Sequence, residues 1–306
     1  TMHLMSSYSW DLYMTQWHGI DNAQHAFLRF DKSVLTPSQQ ELSERVVRRS
    51  YEIADDFVGG IAKSSGIATA DGTIDGSNGH DDVHTFVISD HGHVMGKRRF
   101  FINQFLYEQA LIKLKRDQST GKVSVDWSKT QAFAQGMVSV YVNLKGRDPE
   151  GSVKPGKEYE DLVDRIIEIL YDVKDPLNGK RPFRLALSNK DSEFLGLSGE
   201  RTGDVVTAVN PVYVPDNRMK FSGDLFENLN TGLPDGSIHG QQLPSVDLGE
   251  FGSIRSVLIA WGPTIKKGHV MKKAVKMVDI APTISHILGI PAPKHSEGRV
   301  IHELFA

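Results

Sequence analysis

The sequence predicts an α/β protein, a mixed or mostly parallel sheet sandwiched by helices. Three observations predict it. Thr85-Phe86-Val87-Ile88 is an apolar, β-branched run without polar interruption, as strands buried on both faces of a sheet read. A long stretch of helical periodicity and then a Gly/Ser/Asp-rich stretch precede it, giving helix–loop–strand order. A second such run, Ser256-Val257-Leu258-Ile259-Ala260, is followed by a capped helical segment near the end of the chain.

Composition narrows the possibilities. With 306 residues, 39% hydrophobic and 24% charged, the chain is long enough for a sizeable core. A net charge of −3 gives no general nucleic-acid-binding surface. No apolar run reaches the roughly 18 residues of a membrane span. There is no Cys, so a metal would be held by His, carboxylate or hydroxyl groups.

Taken in order, residues 2–8 resemble neither a signal peptide nor a tag, and residues 10–16 read as a strand ending at Trp17-His18-Gly19. Asp21 and His25 follow, four residues apart, and on a helix they share a face. The plain alternative is a first-turn Asp and a surface His. Thr36-Pro37-Ser38 opens a long helix, with Ser38 as N-cap and Glu41 three residues on. Leu42, Val46, Ile53, Phe57 and Ile61 mark its apolar stripe, which reaches about Lys63. Arg45, Arg48 and Arg49 form its solvated face, and residues 64–82 read as a surface loop.

The strand at Thr85 ends in Ser89-Asp90-His91-Gly92. Two metal-competent side chains thus sit at a strand's carboxyl end, where open α/β sheets bind ligands. Asp90 could equally be only a turn cap. Gly96-Lys97-Arg98-Arg99 is either a solvated turn or an anion contact, with Lys97 and Arg98 as the candidate substrate-binding pair. Residues 100–106 and 108–114 look like short helical pieces. Residues 130–133, 138–142, 184–187 and 204–209 read as strands, and residues 215–237 as loop. Tyr159, Leu162, Val163, Ile166, Ile167 and Leu170 make one amphipathic helix. His239, in Gly236-Ser237-Ile238-His239-Gly240, is free to be aimed at a site, although a lone loop His is more often a surface residue. In the last helix, Asp279 is the N-cap, Pro282 lies in the first turn and Gly289 ends it.

Asp21, His25, Asp90, His91 and His239 are too many donors for one open site, and fit two adjacent divalent metals. Oxygen and imidazole donors without thiolate suit zinc, with manganese as the alternative. In their order, Asp-x-x-x-His, Ser-Asp-His-Gly, a late His-Gly and the closing Asp279-Ile280-Ala281-Pro282-Thr283-Ile284, these motifs resemble the alkaline phosphatase superfamily. Within it the sequence is most similar to the type I phosphodiesterase/nucleotide pyrophosphatase group, over residues 10–305.

The resemblance implies an alkaline-phosphatase-like fold and a two-metal phosphoric-ester hydrolase acting on a phosphate ester or nucleotide-like small molecule. It implies that Asp21, His25 and His239 hold one metal and that Asp90 and His91 hold part of the second. It also implies an upstream strand ending in Asp and a Thr or Ser nucleophile, and neither precedes Asp21 here. The expectation is therefore a single incomplete domain without its amino-terminal βα units, with no catalytic nucleophile of its own, inactive alone and associating with the missing part. Residues 1–95 and 236–306 would form the core and 96–235 a family-variable, cap-like insertion. A non-catalytic pseudoenzyme that binds metal or phosphate, and a phosphomutase of the same superfamily, are the alternatives.

Overall fold

The computed structural model describes residues 1–28, 35–68, 82–136, 139–210, 212–220, 222–229, 237–239 and 252–306. Its first elements are α1 (Met2–Ser7), α2 (Gly19–Phe27), α3 (Pro37–Ser64), β1 (Thr85–Ile88), β2 (His93–Phe101) and α4 (Ile102–Glu108). Then come β3 (Leu114–Arg116), β4 (Val123–Val125), β5 (Ala132–Gln135), β6 (Ser139–Val142), α5 (Lys157–Asp172), β7 (Phe183–Ser188) and β8 (Val205–Val209). The last are β9 (Val212–Asp216), β10 (Phe226–Asn228), β11 (Ser237–Ile238), β12 (Gly252–Ser253), β13 (Leu258–Trp261) and α6 (Ile280–Ile287). The class is mixed α/β as expected. Of the ladders between these strands among the described residues, β2 with β9 is parallel and the others are antiparallel.

Two compact units divide the chain: Thr1–Ala23 with Leu42–Gly92 and Ser256–Ala306, and Gln24–Glu41 with His93–Arg255. In the first, β1 pairs with β13, Phe86 opposite Ala260 and Val87 opposite Ile259. Phe86, Leu258 and Ala260 pack against Ile265, Ile301 and Leu304. On the opposite face Val87 is half-buried and Ile259 is 55% exposed. The expectation of burial on both faces is corrected accordingly: an apolar run shows what a strand can bury, whereas cover depends on tertiary neighbours.

The strand expected at residues 10–16 does not form, and Leu12 and Met14 are exposed. A strand is stable only when a neighbour completes its ladder, and none does so among the described residues. Residues 2–7 form α1 instead, and Trp10 donates from Nε1 to its Met5 carbonyl at 3.2 Å.

The long helix is present, but its cap is Thr36 rather than Ser38. The Thr36 hydroxyl accepts from Gln39 N–H at 3.3 Å, and the Gln39 side chain accepts from Thr36 N–H at 2.9 Å, a reciprocal box. Pro37 then occupies the first helical position, where its missing N–H costs nothing. Of the expected loop at 64–82, residues 69–81 lie outside the described residues.

The closing helix has the bounds read for it, but the Asp279 side chain makes no capping bond to α6. Asp279 is buried, and its carboxylate accepts from the N–H groups of Lys276 and Arg299, both at 2.9 Å. Thr283 donates to the Asp279 carbonyl at 2.6 Å and accepts from Ile301 N–H at 2.9 Å. Gly289, at φ +66°, ends α6: its N–H reaches the His286 carbonyl and that of Ile290 the Ser285 carbonyl.

In the second unit β2 is the spine, pairing with β9, β10, β11 and β12. The basic stretch Gly96–Arg99, expected in a turn, lies inside this strand because its charges are neutralised. Arg98 pairs with Asp175 at 2.7 Å and Arg99 with Asp216 at 3.3 Å. Gly96 is required by close approach: a Cβ there would lie 2.4 Å from the Val214 side chain. Of the piece read as helical at 100–106, residues 102–106 lie in α4 while Phe100 and Phe101 end β2; of the piece read at 108–114, residues 109–113 are not helical and lead into β3. The antiparallel order β5-β6-β8-β7 holds the strands expected from the sequence, Val138 lying outside the described residues. The 215–237 stretch, read as loop, contains β10 and the end of β9. Helix α5 lies against β7 and buries Leu162, Val163, Ile166 and Leu170 in the main core with Phe100, Phe183 and Tyr213.

Candidate metal centre

Strand pairing assembles the centre. In β11, Ser237 lies opposite Met95 and Ile238 opposite Val94. Continuing that antiparallel register by one residue brings His239 to His93, and their ring centroids are 5.3 Å apart. Helix α2 supplies His25, with ring centroids 4.7 Å from His93 and 5.0 Å from His239. One ring nitrogen of each imidazole lies within 4.8 Å of those of the other two.

Ser237 determines which nitrogens are available. The Nδ1 of His25 is 2.9 Å from the Ser237 carbonyl, which can only accept, so Nδ1 carries the proton. The Ser237 hydroxyl donates its single proton to the Gln24 carbonyl at 2.8 Å. It must therefore accept from Nδ1 of His93, 2.8 Å away. In the neutral form of each ring Nε2 is then the nitrogen with the lone pair, the form in which imidazole binds a metal. A backbone carbonyl or hydroxyl on the far nitrogen is the usual outer-shell partner of a metal-binding histidine. The donor set therefore fits a divalent metal of the zinc type.

The expected site residues are distributed as follows. His25 and His239 are in the cluster. Asp21 is on α2, one turn before His25, with its carboxylate 3.5 Å from His18. Asp90 and His91 follow β1 and engage each other at 3.4 Å; His91 also places Nδ1 3.1 Å from the Gly92 carbonyl. Lys97 is exposed on β2. Arg98, expected at an anion, directs its guanidinium inward to Asp175, at 2.7 and 2.8 Å, and to Asn228 at 2.8 Å. These bonds commit the Nε and Nη2 edge of the guanidinium to Asp175 and one Nη1 hydrogen to Asn228. Gly236 and Gly240, which flank the His239 motif, lie outside the described residues.

Sequence reasoning missed His93 and Ser237. His93 directly follows the Asp90-His91-Gly92 motif, and a His two residues beyond another was a usable signal. Nothing in the sequence marks Ser237 as a hydrogen-bond partner of two histidines.

Comparison with known proteins bears on the fold and the family. No curated protein matches the chain. Among solved structures, a multiply substituted variant of alkaline phosphatase PafA aligns with TM-score 0.52 and 16% identity, covering 86% of this chain and 43% of that one. Human ectonucleotide pyrophosphatase/phosphodiesterase 5 aligns with TM-score 0.50 and 15% identity, covering 93% of this chain and 56% of that one. An inactive variant of the murine protein, in complex with AMP, aligns with TM-score 0.50 and 13% identity over 94% of this chain and 56% of that one. The chain thus spans about half the length of these solved relatives, and at such identities the likeness is one of fold. The family model for type I phosphodiesterase/nucleotide pyrophosphatase matches residues 2–223, most of the chain, and the chain belongs to that family.

Proposed function

We propose that this chain is the metal-holding part of a phosphoric-ester hydrolase of the phosphodiesterase/nucleotide pyrophosphatase type, using two divalent metals, most simply zinc. The observation that carries the reading is the convergence of His25 and His239, whose ring centroids are 5.0 Å apart, with the Ser237 carbonyl on Nδ1 of His25. Asp21, one turn from His25 on α2, joins them as an oxygen donor. Asp90 and His91 supply part of the second set. A divalent metal bound there supplies Lewis acidity toward phosphoryl oxygens. The chain's own residues hold the imidazoles in one tautomer and orientation.

The substrate is a phosphate diester or a nucleotide-like ester, a reading supported by family membership and by the AMP complex of the murine relative. In the full-length protein, an upstream segment supplies the Thr or Ser nucleophile and the remaining Asp. Residues 96–235 act as a cap over the substrate. The 306 residues alone do not turn over.

Zinc titration of the metal-free chain against a competing chelator tests this. One tight site is expected, and His25→Ala should weaken it strongly. Two equally tight sites, or unchanged affinity in the variant, would overturn the ligand assignment. A parallel assay on bis-aryl and mono-aryl phosphates should show no zinc-dependent turnover by the chain and hydrolysis of the diester by the full-length protein. Turnover by the chain, abolished in Asp90→Ala, would mean that it contains its own nucleophile.

A further inference from the structure

We propose that the lysine-rich segment between β13 and α6, residues 264–276, docks this protein on a bilayer surface rich in anionic phospholipid. The proposal does not depend on the metal-binding reading above.

Charge marks the segment. It carries Lys266, Lys267, Lys272, Lys273 and Lys276 together with His269, and no Asp or Glu occurs from Phe251 to Val278. A chain of net charge −3 thus concentrates positive charge in one short stretch. All of these lysines are exposed. Lys266 gives its Nζ to a neutral acceptor, the Glu303 carbonyl, at 3.2 Å. Lys267, Lys272 and Lys273 have no carboxylate partner among the described residues. Like charges adjacent in sequence repel one another, and an anionic surface relieves that repulsion.

The segment is also fixed in place. Ile265 is buried and bridges to Phe305, and Lys266 N–H donates to the Leu304 carbonyl at 2.8 Å. Met271 and Val275 pack on the cluster of Ile265, Ile301 and Leu304. These apolar side chains face the core, and the lysines between them face solvent. The basic surface is therefore formed before a partner arrives, and little ordering entropy opposes binding.

Position separates it from the candidate metal residues of the same unit. In the ladder of β1 with β13, Ile88 lies opposite Leu258 and Thr85 opposite Trp261. Asp90 and His91 follow the ladder at one end, and the lysine segment leaves it at the other. Lysines serving a phosphate ester at Asp90 and His91 would belong at the first end.

The neighbours of the lysines favour lipid over nucleic acid. Val270, Met277 and Val278 are 83%, 49% and 52% exposed beside them. Aliphatic side chains gain by entering the headgroup boundary, while lysine stems reach the lipid phosphates. The segment has no Arg to grip a phosphodiester bidentately, and no Phe, Tyr or Trp on which a base could stack.

Co-sedimentation of the whole chain with phosphatidylserine/phosphatidylcholine vesicles tests the proposal. Binding is expected to the mixed vesicles and not to pure phosphatidylcholine. It should fall steeply between about 0.1 M and 1 M salt as screening shortens the reach of the charges. Each lysine near an anionic leaflet contributes about fivefold in affinity, so the triple variant Lys267→Gln/Lys272→Gln/Lys273→Gln should bind about 100-fold more weakly with an unchanged melting temperature. The chain has no Cys, so Val270→Cys gives one attachment point for an environment-sensitive fluorophore. Its emission should shift to the blue when mixed vesicles are added.

No binding to the anionic vesicles, or equal binding by the triple variant, would overturn the proposal. Vesicle binding without the emission shift would also overturn it, because the contact then lies elsewhere. Tighter binding to duplex DNA than to vesicles, at equal phosphate concentration, would overturn the lipid assignment and give the surface to nucleic acid. If the triple variant melts lower, the salt dependence and the Val270 emission decide.

Discussion

The Ser237 hydroxyl accepts from Nδ1 of His93 rather than donating to it, because its own proton is committed to the Gln24 carbonyl. Ser237 also contributes its carbonyl to His25, so this one residue of β11 aligns imidazoles from a helix and from the spine strand.

Ser237→Ala should therefore weaken the metal centre without dismantling it. The carbonyl remains for His25, while the hydroxyl's bonds to Nδ1 of His93 and to the Gln24 carbonyl are lost. A loss of about 10–100-fold in zinc affinity is expected, the usual size of an outer-shell effect. Chelator competition measures it. Unaltered affinity with an unaltered melting temperature would mean that the hydroxyl does not orient a ligand.

The Arg98–Asp175 pair anchors β2 in the second unit. Burial alone would push the Asp175 carboxyl up. Hydrogen bonds from Arg98, from Leu177 N–H and from Tyr213, with the nearby positive charge, outweigh it and hold the group below the usual carboxylate range. A carboxyl lowered on folding contributes stability above its unfolded value and loses it as pH falls through the folded value. Urea midpoints should therefore drop below about pH 4 in the wild type and change less in Asp175→Asn. Arg98→Met, which strands the carboxylate, should cost about 3–5 kcal/mol at neutral pH. A midpoint indifferent to that substitution would show that the pair is dispensable.

Thr283 ties α6 to the chain that returns beside it. Its hydroxyl serves the Asp279 carbonyl and Ile301 N–H, and the residue is fully buried. Thr283→Val keeps the shape and leaves Ile301 N–H unpaired, at about 1–3 kcal/mol. Thr283→Ser keeps both bonds and should be milder. Thermal melts of the two variants distinguish the hydrogen bonds from the methyl group, and a Val variant as stable as the wild type would remove the hydroxyl's role.

What was legible in the sequence was local. Pro282 and Gly289 mark the first turn and the end of α6 because first-turn and left-handed positions each favour particular residues, whereas the Asp279 carboxylate serves Lys276 and Arg299 rather than the helix. The stripe of Leu162, Val163, Ile166 and Leu170 defines α5 because helical period alone selects one face. Asp21 and His25 were related through a single helix turn, and the motif order was sufficient to place the chain in its family. Tertiary structure decided the rest. Whether the apolar run of β1 is covered on two faces depends on neighbours distant in sequence, as does the absence of a strand at 10–16. Arg98 reads as an exposed anion contact until Asp175, 77 residues away, is folded against it. His93 becomes a partner of His25 and His239 only when β11 pairs with β2 and α2 closes on them. A side chain's chemistry is written in its own residue, but its donors, acceptors and burial belong to whatever the folded chain brings within hydrogen-bonding distance.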